Sequence, residues 1–326
     1  MKAVRYHQCG EADVLRWEET TDPVPGVDDL LIKVEAAGVN FADLMRRSGL
    51  YHFKTEFPAT LGTEAAGIVL KCGNGVKNFK TGDRVFCRTA KAECQAELLV
   101  AHKSEIIPIP EALSFVDAAA IPVIFLTAYH MLKTIKPIRP GEKILIQAAA
   151  SGVGTAAVQL AKIWGGCVIA TASSDEKLAL VRRLGAEQCI NYEKVDFVSE
   201  VMRHTSGVGV DRVLECVGGD VLLRSLDALA PGGLLMVYGR ASGKLPPLPP
   251  EQIFAKNLHV VGLNIGGKPW DQGQHRDTLN EIIDLLAREK IKPVISKIFP
   301  MSKVIEAHNH LKNRQTMGKV ILTPTE

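Results

Sequence analysis

Residues 142–164, Glu142-Lys-Ile-Leu-Ile-Gln-Ala-Ala-Ala-Ser-Gly-Val-Gly-Thr-Ala-Ala-Val-Gln-Leu-Ala-Lys-Ile-Trp164, constrain what this chain can fold into more than any other stretch. The apolar run 144–148, led in by Pro140-Gly141, reads as a strand buried on both faces. Val153, Ala156, Ala157, Leu160, Ala161 and Trp164 then recur at helical spacing, which predicts a helix with one buried face. The turn between them, 149–154, consists of very small residues. Such a turn lets backbone approach a ligand closely, and the helix start offers free N–H groups and positive dipole to an anion, here a diphosphate. The three glycine positions of the dinucleotide fingerprint fall on Ala149, Ser151 and Gly154, so two are replaced, while Gly152 is added. A purely structural tight turn is the competing reading. Context favours nucleotide binding: a strand before, a helix after, and a second strand at 167–172, about 20 residues on.

The end of that second strand bears on which nucleotide fits. A carboxylate there would hold the ribose hydroxyls of NAD, but the strand ends in Ala170-Thr-Ala-Ser-Ser174. Ser173 and Ser174 can donate hydrogen bonds and Lys177 lies just beyond, a set that favours NADP. Asp175 complicates the reading, although Ser-Ser-Asp-Glu-Lys also reads as an ordinary N-terminal capping segment with acids near the positive end of the dipole. Lys177 has an equally plain alternative as an exposed helix lysine.

The chain's 326 residues suffice for two domains and a large core. A hydrophobic fraction of 46% and a net charge of +3 fit a soluble globular protein, and no basic run of the nucleic-acid kind occurs. No apolar stretch approaches a membrane span and the N-terminus lacks an apolar signal core, so neither membrane nor nucleic acid is an expected partner. Seven cysteines without Cys-x-x-Cys spacing argue against a disulfide framework and for a reducing cytoplasm.

Along the chain, residues 1–110 read as mostly β, with strands expected at 2–7, 30–37, 65–72, 84–87 and 97–101. A short helix is expected at 41–47, followed by a loop at 48–53. A helical pattern covers 114–133, with the domain junction near residue 125. Strands at 143–148, 167–171, 188–191, 212–216 and 233–238 then alternate with helices at 153–164, 175–184, 195–204 and 220–229, and a further strand falls at 258–263. This is βαβ periodicity and predicts an α/β fold with a parallel, doubly wound sheet. Residues 246–250 read as a rigid extended segment. The tail supplies a helix at 276–289, a strand at 294–299, a helix at 302–313 and a strand at 318–323.

Taken in order, the motifs Gly38-Val-Asn-Phe-Ala-Asp43, Arg47-Ser-Gly-Leu-Tyr51, Leu61-Gly-Thr-Glu-Ala-Ala-Gly67, Gly82-Asp-Arg-Val85, Leu126-Thr-Ala-Tyr129, Ala148-Ala-Ala-Ser-Gly-Val-Gly154, Leu184-Gly-Ala186 and Asn191-Tyr192 run through essentially the whole length. With them the chain resembles the zinc-independent branch of the medium-chain dehydrogenase/reductase superfamily, in particular the NADPH:quinone oxidoreductases related to zeta-crystallin. The resemblance implies a GroES-like β domain from residues 1–125 and 265–326, a Rossmann NADPH-binding domain from 126–264, and a cleft at their junction. It also implies a homodimer joined through the edge strand 258–263, which would cover an exposed apolar edge. The zinc alcohol dehydrogenases place a cysteine ligand where this chain has Asn40 and a histidine where it has Thr63, and Cys87 and Cys94 alone cannot close a tetrahedral site, so no metal is expected.

Carried over by motif, Asn40 resembles the family asparagine near nicotinamide and substrate, with an Asx turn as its ordinary alternative. Tyr51 resembles a tyrosine of the quinone pocket, or is an exposed loop aromatic. Thr63 and Thr127 resemble cleft threonines, Thr127 toward the nicotinamide amide. Ser151, Gly152, Val153 and Gly154 match the diphosphate loop. Ser173, Lys177 and Tyr192 match the group around the 2′-phosphate, although Tyr192 equally suits a strand-end core position. Cys216, Val217, Tyr238, Gly239, Leu263 and Asn264 match later cofactor contacts, and Arg240 is either an anion ligand or a surface arginine. The substrate pocket is expected to be shaped by the loop at 48–57 and by 266–270. The implied reaction is metal-free hydride transfer from NADPH to a quinone. Reduction of an enone or enal uses the same logic, and a non-catalytic NADPH-binding or RNA-binding protein is the alternative of another class.

Overall fold

The computed structural model describes residues 1–51, 54–89, 91, 93–267 and 272–324. The chain divides into two compact units, one comprising Met1–Ile124, Pro269–Glu289 and Pro293–Glu326, the other Phe125–Lys268 and Lys290–Lys292. Residues 265–267 and 290–292 therefore go with the second unit, whereas the family resemblance placed all of 265–326 with the first.

The second unit is a six-stranded parallel sheet. Its strands, in chain order, are Lys143–Ile146, Cys167–Ala172, Gln188–Asn191, Val210–Glu215, Leu229–Val237 and His259–Gly262. Across the sheet they run third, second, first, fourth, fifth, sixth, and every neighbouring pair is parallel. This is the Rossmann order, with its reversal between the first and fourth strands. Helices Gly152–Ile163, Asp175–Leu184, Phe197–His204, Gly219–Asp227 and Pro250–Ala255 connect the strands. Leu145, Ile169, Val213 and Leu235 from the sheet pack with Val201, Leu222 and Leu226 from the helices in one apolar cluster. Arg212, fully buried on the fourth strand, pairs with Glu142 and donates to the carbonyls of Met131 and Lys136.

The elements depart from the sequence pattern in detail, the fifth strand beginning at Leu229 rather than at 233. The first strand ends at Ile146 rather than at 148, because the chain already turns through Ala148 at φ 49°. The proline-rich segment is not extended throughout: Pro250 opens the helix Pro250–Ala255, where a proline's missing N–H costs nothing.

The first unit is built on a seven-stranded sheet that includes Ile295–Pro300, Lys319–Thr323, Asp29–Val39, Glu64–Cys72, Arg84–Arg88 and Ile106–Pro108 in that order, with Leu98–His102 also paired to Asp29–Val39. A smaller sheet joins Arg16–Glu19, Lys2–Tyr6 and Ala59–Thr60. Along Asp29–Val39 the alternation Leu30, Ile32, Val34 faces the core, and both faces are buried by its end. Helices Phe41–Arg47 and Val304–Lys312 pack against this layer, contributing Leu44, Val304 and Ala307 to the core.

Candidate active site

In the parallel sheet, the residues matched to a cofactor all sit at the carboxyl ends of strands, the face where open α/β sheets bind ligands. After the first strand, Ser151 caps the helix Gly152–Ile163, its hydroxyl accepting from Gly154 N at 3.1 Å. The N–H groups of Gly152 and Val153 lie in the first turn, where the helix itself has no acceptor for them. Gly154 is required by packing. A Cβ there would come within 2.5 Å of the Ala149 carbonyl oxygen and 2.6 Å of that of Ala148. The helix start is thus seated on the end of the strand, as a diphosphate cradle needs.

After the second strand, Ser174 caps the helix Asp175–Leu184 and the Lys177 ammonium donates to Ser173 Oγ at 3.2 Å. Tyr192 N donates to Ala172 O, which brings the turn following the third strand alongside. Tyr192 itself is 36% exposed, so the core reading of this tyrosine does not hold. Asp175 is engaged from that turn: Asn191 Nδ2 donates to Oδ1 at 2.8 Å and Lys194 Nζ to Oδ2 at 2.6 Å. Hydrogen bonds from Lys194 and Asn191 hold its carboxyl below the usual range.

After the fourth strand, the buried Glu215 carboxylate accepts from Val217 N at 2.6 Å and Gly218 N at 2.9 Å, shaping the turn that carries Cys216 and Val217. Burial pushes the Glu215 carboxyl up, against these two bonds. Burial also pushes the Cys216 thiol up to about 12 and the Tyr238 hydroxyl well above its ordinary range, so both stay protonated at neutral pH. Gly239 lies against Cys216, whose carbonyl oxygen is 3.1 Å from where a Cβ would stand. Leu263, buried, and Asn264, exposed, follow the sixth strand. Thr127, on the helix Pro122–Tyr129, is buried in the same unit.

Asn40, Tyr51 and Thr63 belong to the first unit. Asn40 is the residue between the strand Asp29–Val39 and the helix Phe41–Arg47, and its N–H donates to the buried Asp43 carboxylate at 2.8 Å. Its side chain takes part in a capping box with Asp43 at the start of that helix, as an Asx-type residue would, and also sits in a buried polar cluster. Asn40 Nδ2 donates to Glu64 Oε1 at 2.7 Å, and Lys319 Nζ donates to Asn40 Oδ1 and pairs with Glu64 Oε1, both at 2.5 Å. Glu64 Oε2 accepts from Val123 N at 2.7 Å. The sheet makes this meeting unavoidable: Val320 pairs with Val39 and Ile321 with Gly38, which brings Lys319 level with Asn40. Gly38 leaves the space, since a Cβ there would stand 2.4 Å from Glu64 Oε1.

Glu64 is also level with Arg88 across the next strand pair, and Arg88 is 7% exposed. Burial works against the Arg88 charge and Glu64 supports it. Burial raises the Tyr51 hydroxyl, while the Arg46 guanidinium stands 5.2 Å from its ring centroid. Thr63 is half-buried, its carbonyl accepting from Thr89 N at 2.9 Å. Burial raises the Asp43 carboxyl to about 6. Of the segments expected to shape a pocket, His52, Phe53, Lys268, Pro269 and Trp270 lie outside the described residues. Among the described residues no group of three or more His, Cys, Asp or Glu could hold a metal ion, and no helix is long and apolar enough to cross a membrane.

Sequence pattern alone does not single out Glu64, Lys319, Asp43, Arg88, Glu215 or Lys194. Two of them carried a signal. Glu64 is a carboxylate inside the small, apolar run Leu61–Gly67, and Lys319 opens the apolar strand Lys-Val-Ile-Leu-Thr; a charge so placed needs a buried partner.

Comparisons with known proteins agree with this architecture. Residues 26–111 match the alcohol dehydrogenase GroES-like domain and residues 152–288 the zinc-binding dehydrogenase family. The chain is 35% identical to quinone oxidoreductase 1 of Escherichia coli K12, over 98% of this chain and 99% of that one. It is 32% identical to the 2-haloacrylate reductase of a Burkholderia species, over 98% and 97%. Its structure superposes on the crystal structure of the Escherichia coli quinone oxidoreductase complexed with NADPH with a TM-score of 0.95, at 34% identity over 99% and 100% of the two chains. The chain belongs to the zeta-crystallin-like quinone oxidoreductase family of the medium-chain dehydrogenase/reductase superfamily.

Proposed function

We propose that this protein is an NADPH-dependent oxidoreductase whose acceptor is a quinone. The observation that carries the reading is the convergence of all the cofactor-matched side chains and turns of the parallel sheet on its carboxyl face, in a chain that superposes along its whole length on an NADPH-bound quinone oxidoreductase. NADPH supplies a hydride, which with one proton converts a quinone to a hydroquinone.

The protein's part is binding, orientation and polarisation. The Ser151–Gly154 turn holds the diphosphate on first-turn N–H groups. Ser173, Lys177 and Tyr192 take the 2′-phosphate, and Thr127, Cys216, Val217, Tyr238, Gly239, Leu263 and Asn264 take the remainder of the cofactor. Asn40 is held by Lys319 on its oxygen and by Glu64 on one amide hydrogen, which leaves the second hydrogen on Nδ2 as a fixed donor for an acceptor oxygen as it gains charge. Tyr51 and Thr63 supply hydroxyl groups for the same acceptor, and the raised Tyr51 hydroxyl stays a donor at neutral pH. A hydroquinone oxyanion is delocalised, so one positioned donor suffices where a saturated ketone would need stronger polarisation.

A second reading, reduction of an activated carbon–carbon double bond, is favoured by the 32% identity to a 2-haloacrylate reductase. The sheet edge His259–Gly262, with Val260 37% exposed, supports pairing of two copies across a two-fold axis. Seven free cysteines suit a reducing cytoplasm.

The test is NADPH oxidation with a para-quinone, an ortho-quinone and an acyclic enone, in wild type and in Lys177→Ala. Turnover of quinones, with a weakened preference for NADPH over NADH in the variant, is expected. Turnover of the enone alone would move the substrate to the second reading. NADPH binding without turnover of any acceptor would overturn both.

A further inference from the structure

Asp175 is a carboxylate in the first helical turn after the second strand, three residues past Ala172, close to where a carboxylate selects for a ribose diol and against a 2′-phosphate. An NADPH enzyme should not carry one there unpaired. Both of its oxygens are in fact occupied from the turn after the third strand, Oδ1 by Asn191 and Oδ2 by Lys194. Asn191 is itself 8% exposed and fixed by accepting from Glu193 N, so the contact is backed by a rigid strand end. Lys177, on the same helix as Asp175, is instead directed at Ser173. One helical turn thus carries an acid drawn to the third strand and a base drawn to the second.

We propose that Lys194 is a specificity-determining positioning residue: by neutralising Asp175 and holding it toward the third strand, it converts a diol-selecting carboxylate position into one that accepts a 2′-phosphate. The inference rests on the NADPH reading above and adds a residue that acts through Asp175 rather than on the cofactor. Remove the Lys194 ammonium, and the Asp175 carboxylate is free to repel a phosphate bearing nearly two charges or to accept from a ribose hydroxyl. A helix-capping acid with an incidental surface ion pair would stabilise the helix by a similar amount but would leave cofactor choice untouched.

The test is a set of dissociation constants for NADPH, NADH and 2′,5′-ADP, read by fluorescence or calorimetry in the full chain, for wild type, Lys194→Ala, Lys194→Arg, Asp175→Asn and the double variant Asp175→Asn/Lys194→Ala. Lys194→Ala is expected to lower the NADPH/NADH preference about tenfold at low salt, and less at high salt. Lys194→Arg should keep the preference, and the double variant should regain most of it, because no carboxylate remains to be unmasked. Unchanged preference in Lys194→Ala would overturn the proposal, and so would a loss that the double variant fails to recover, which would mean direct contact of Lys194 with the phosphate. Wild type without preference for NADPH would instead overturn the cofactor reading itself, and this inference with it.

Discussion

Asn40 shows how much of a side chain's role is decided by residues distant in sequence. Its amide orientation is set by Glu64, 24 positions on, and by Lys319, 279 positions on. The pair Glu64–Lys319 is almost fully buried, at 0% and 2% side-chain exposure. Removing one charge of such a pair leaves the other uncompensated, at a typical cost of about 3–5 kcal/mol, whereas removing both can be close to neutral. Lys319→Met should therefore destabilise the protein by about that amount. Adding Glu64→Gln should recover more than half of the loss, because the amide still accepts from Val123 N and no bare carboxylate remains. Denaturant unfolding of the four members of the cycle checks this. Additive losses would show that the two residues do not act on each other and would remove the basis for the fixed Asn40 donor.

At the scale of elements, the helix Gly152–Ile163 is seated by Gly154, with two carbonyl oxygens where a Cβ would go. Gly154→Ala must push the helix start away from the strand, an overpacking that costs about 1–3 kcal/mol. A displaced first turn also misdirects the N–H groups of Gly152 and Val153, so NADPH affinity should fall by at least about tenfold. Titration of NADPH by fluorescence, beside a thermal melt, measures both, and unchanged affinity would mean that the diphosphate is held elsewhere. Elements of this kind were legible in the sequence. From 143 to 184 each strand is a mainly apolar run and each helix has its own apolar periodicity, so local pattern and tertiary environment agree. The strands Arg16–Glu19 and Ala59–Thr60 were not legible, because four and two residues carry no period of their own and exist only through pairing with Lys2–Tyr6. The candidate site divides the same way. The glycines and serines of the turns matched to a cofactor are visible as local motifs, while Glu64, Lys319 and Lys194 meet partners that only the tertiary structure brings beside them.

At the scale of the whole molecule, pH couples two buried groups of the first unit with opposite sign. Burial raises Asp43 to about 6, above its ordinary 3.8, so the folded state keeps a proton that the unfolded chain has released. Its contribution to stability is present at low pH and is lost as pH rises through about 6. His308, fully buried with both ring nitrogens unpartnered among the described residues, is lowered to about 3 from 6.5, chiefly by burial. The unfolded chain protonates this histidine first, so its contribution is lost as pH falls below about 6.5. Between about pH 5 and 6 each group tilts stability by up to about 1.4 kcal/mol per pH unit, and the two tilts oppose each other. Removing one should expose the other. In Asp43→Asn the first unit should lose stability as pH falls from 6 to 5, by roughly 1 kcal/mol more than in wild type. In His308→Leu, which replaces an unpartnered ring by an apolar side chain of similar size, it should gain by about as much. Hydrogen exchange of the Asp29–Val39 amides, corrected for the pH dependence of the intrinsic rate, reports the opening of this unit separately from the parallel sheet. Equal pH slopes in wild type and both variants would show that neither group is titrating where its burial places it.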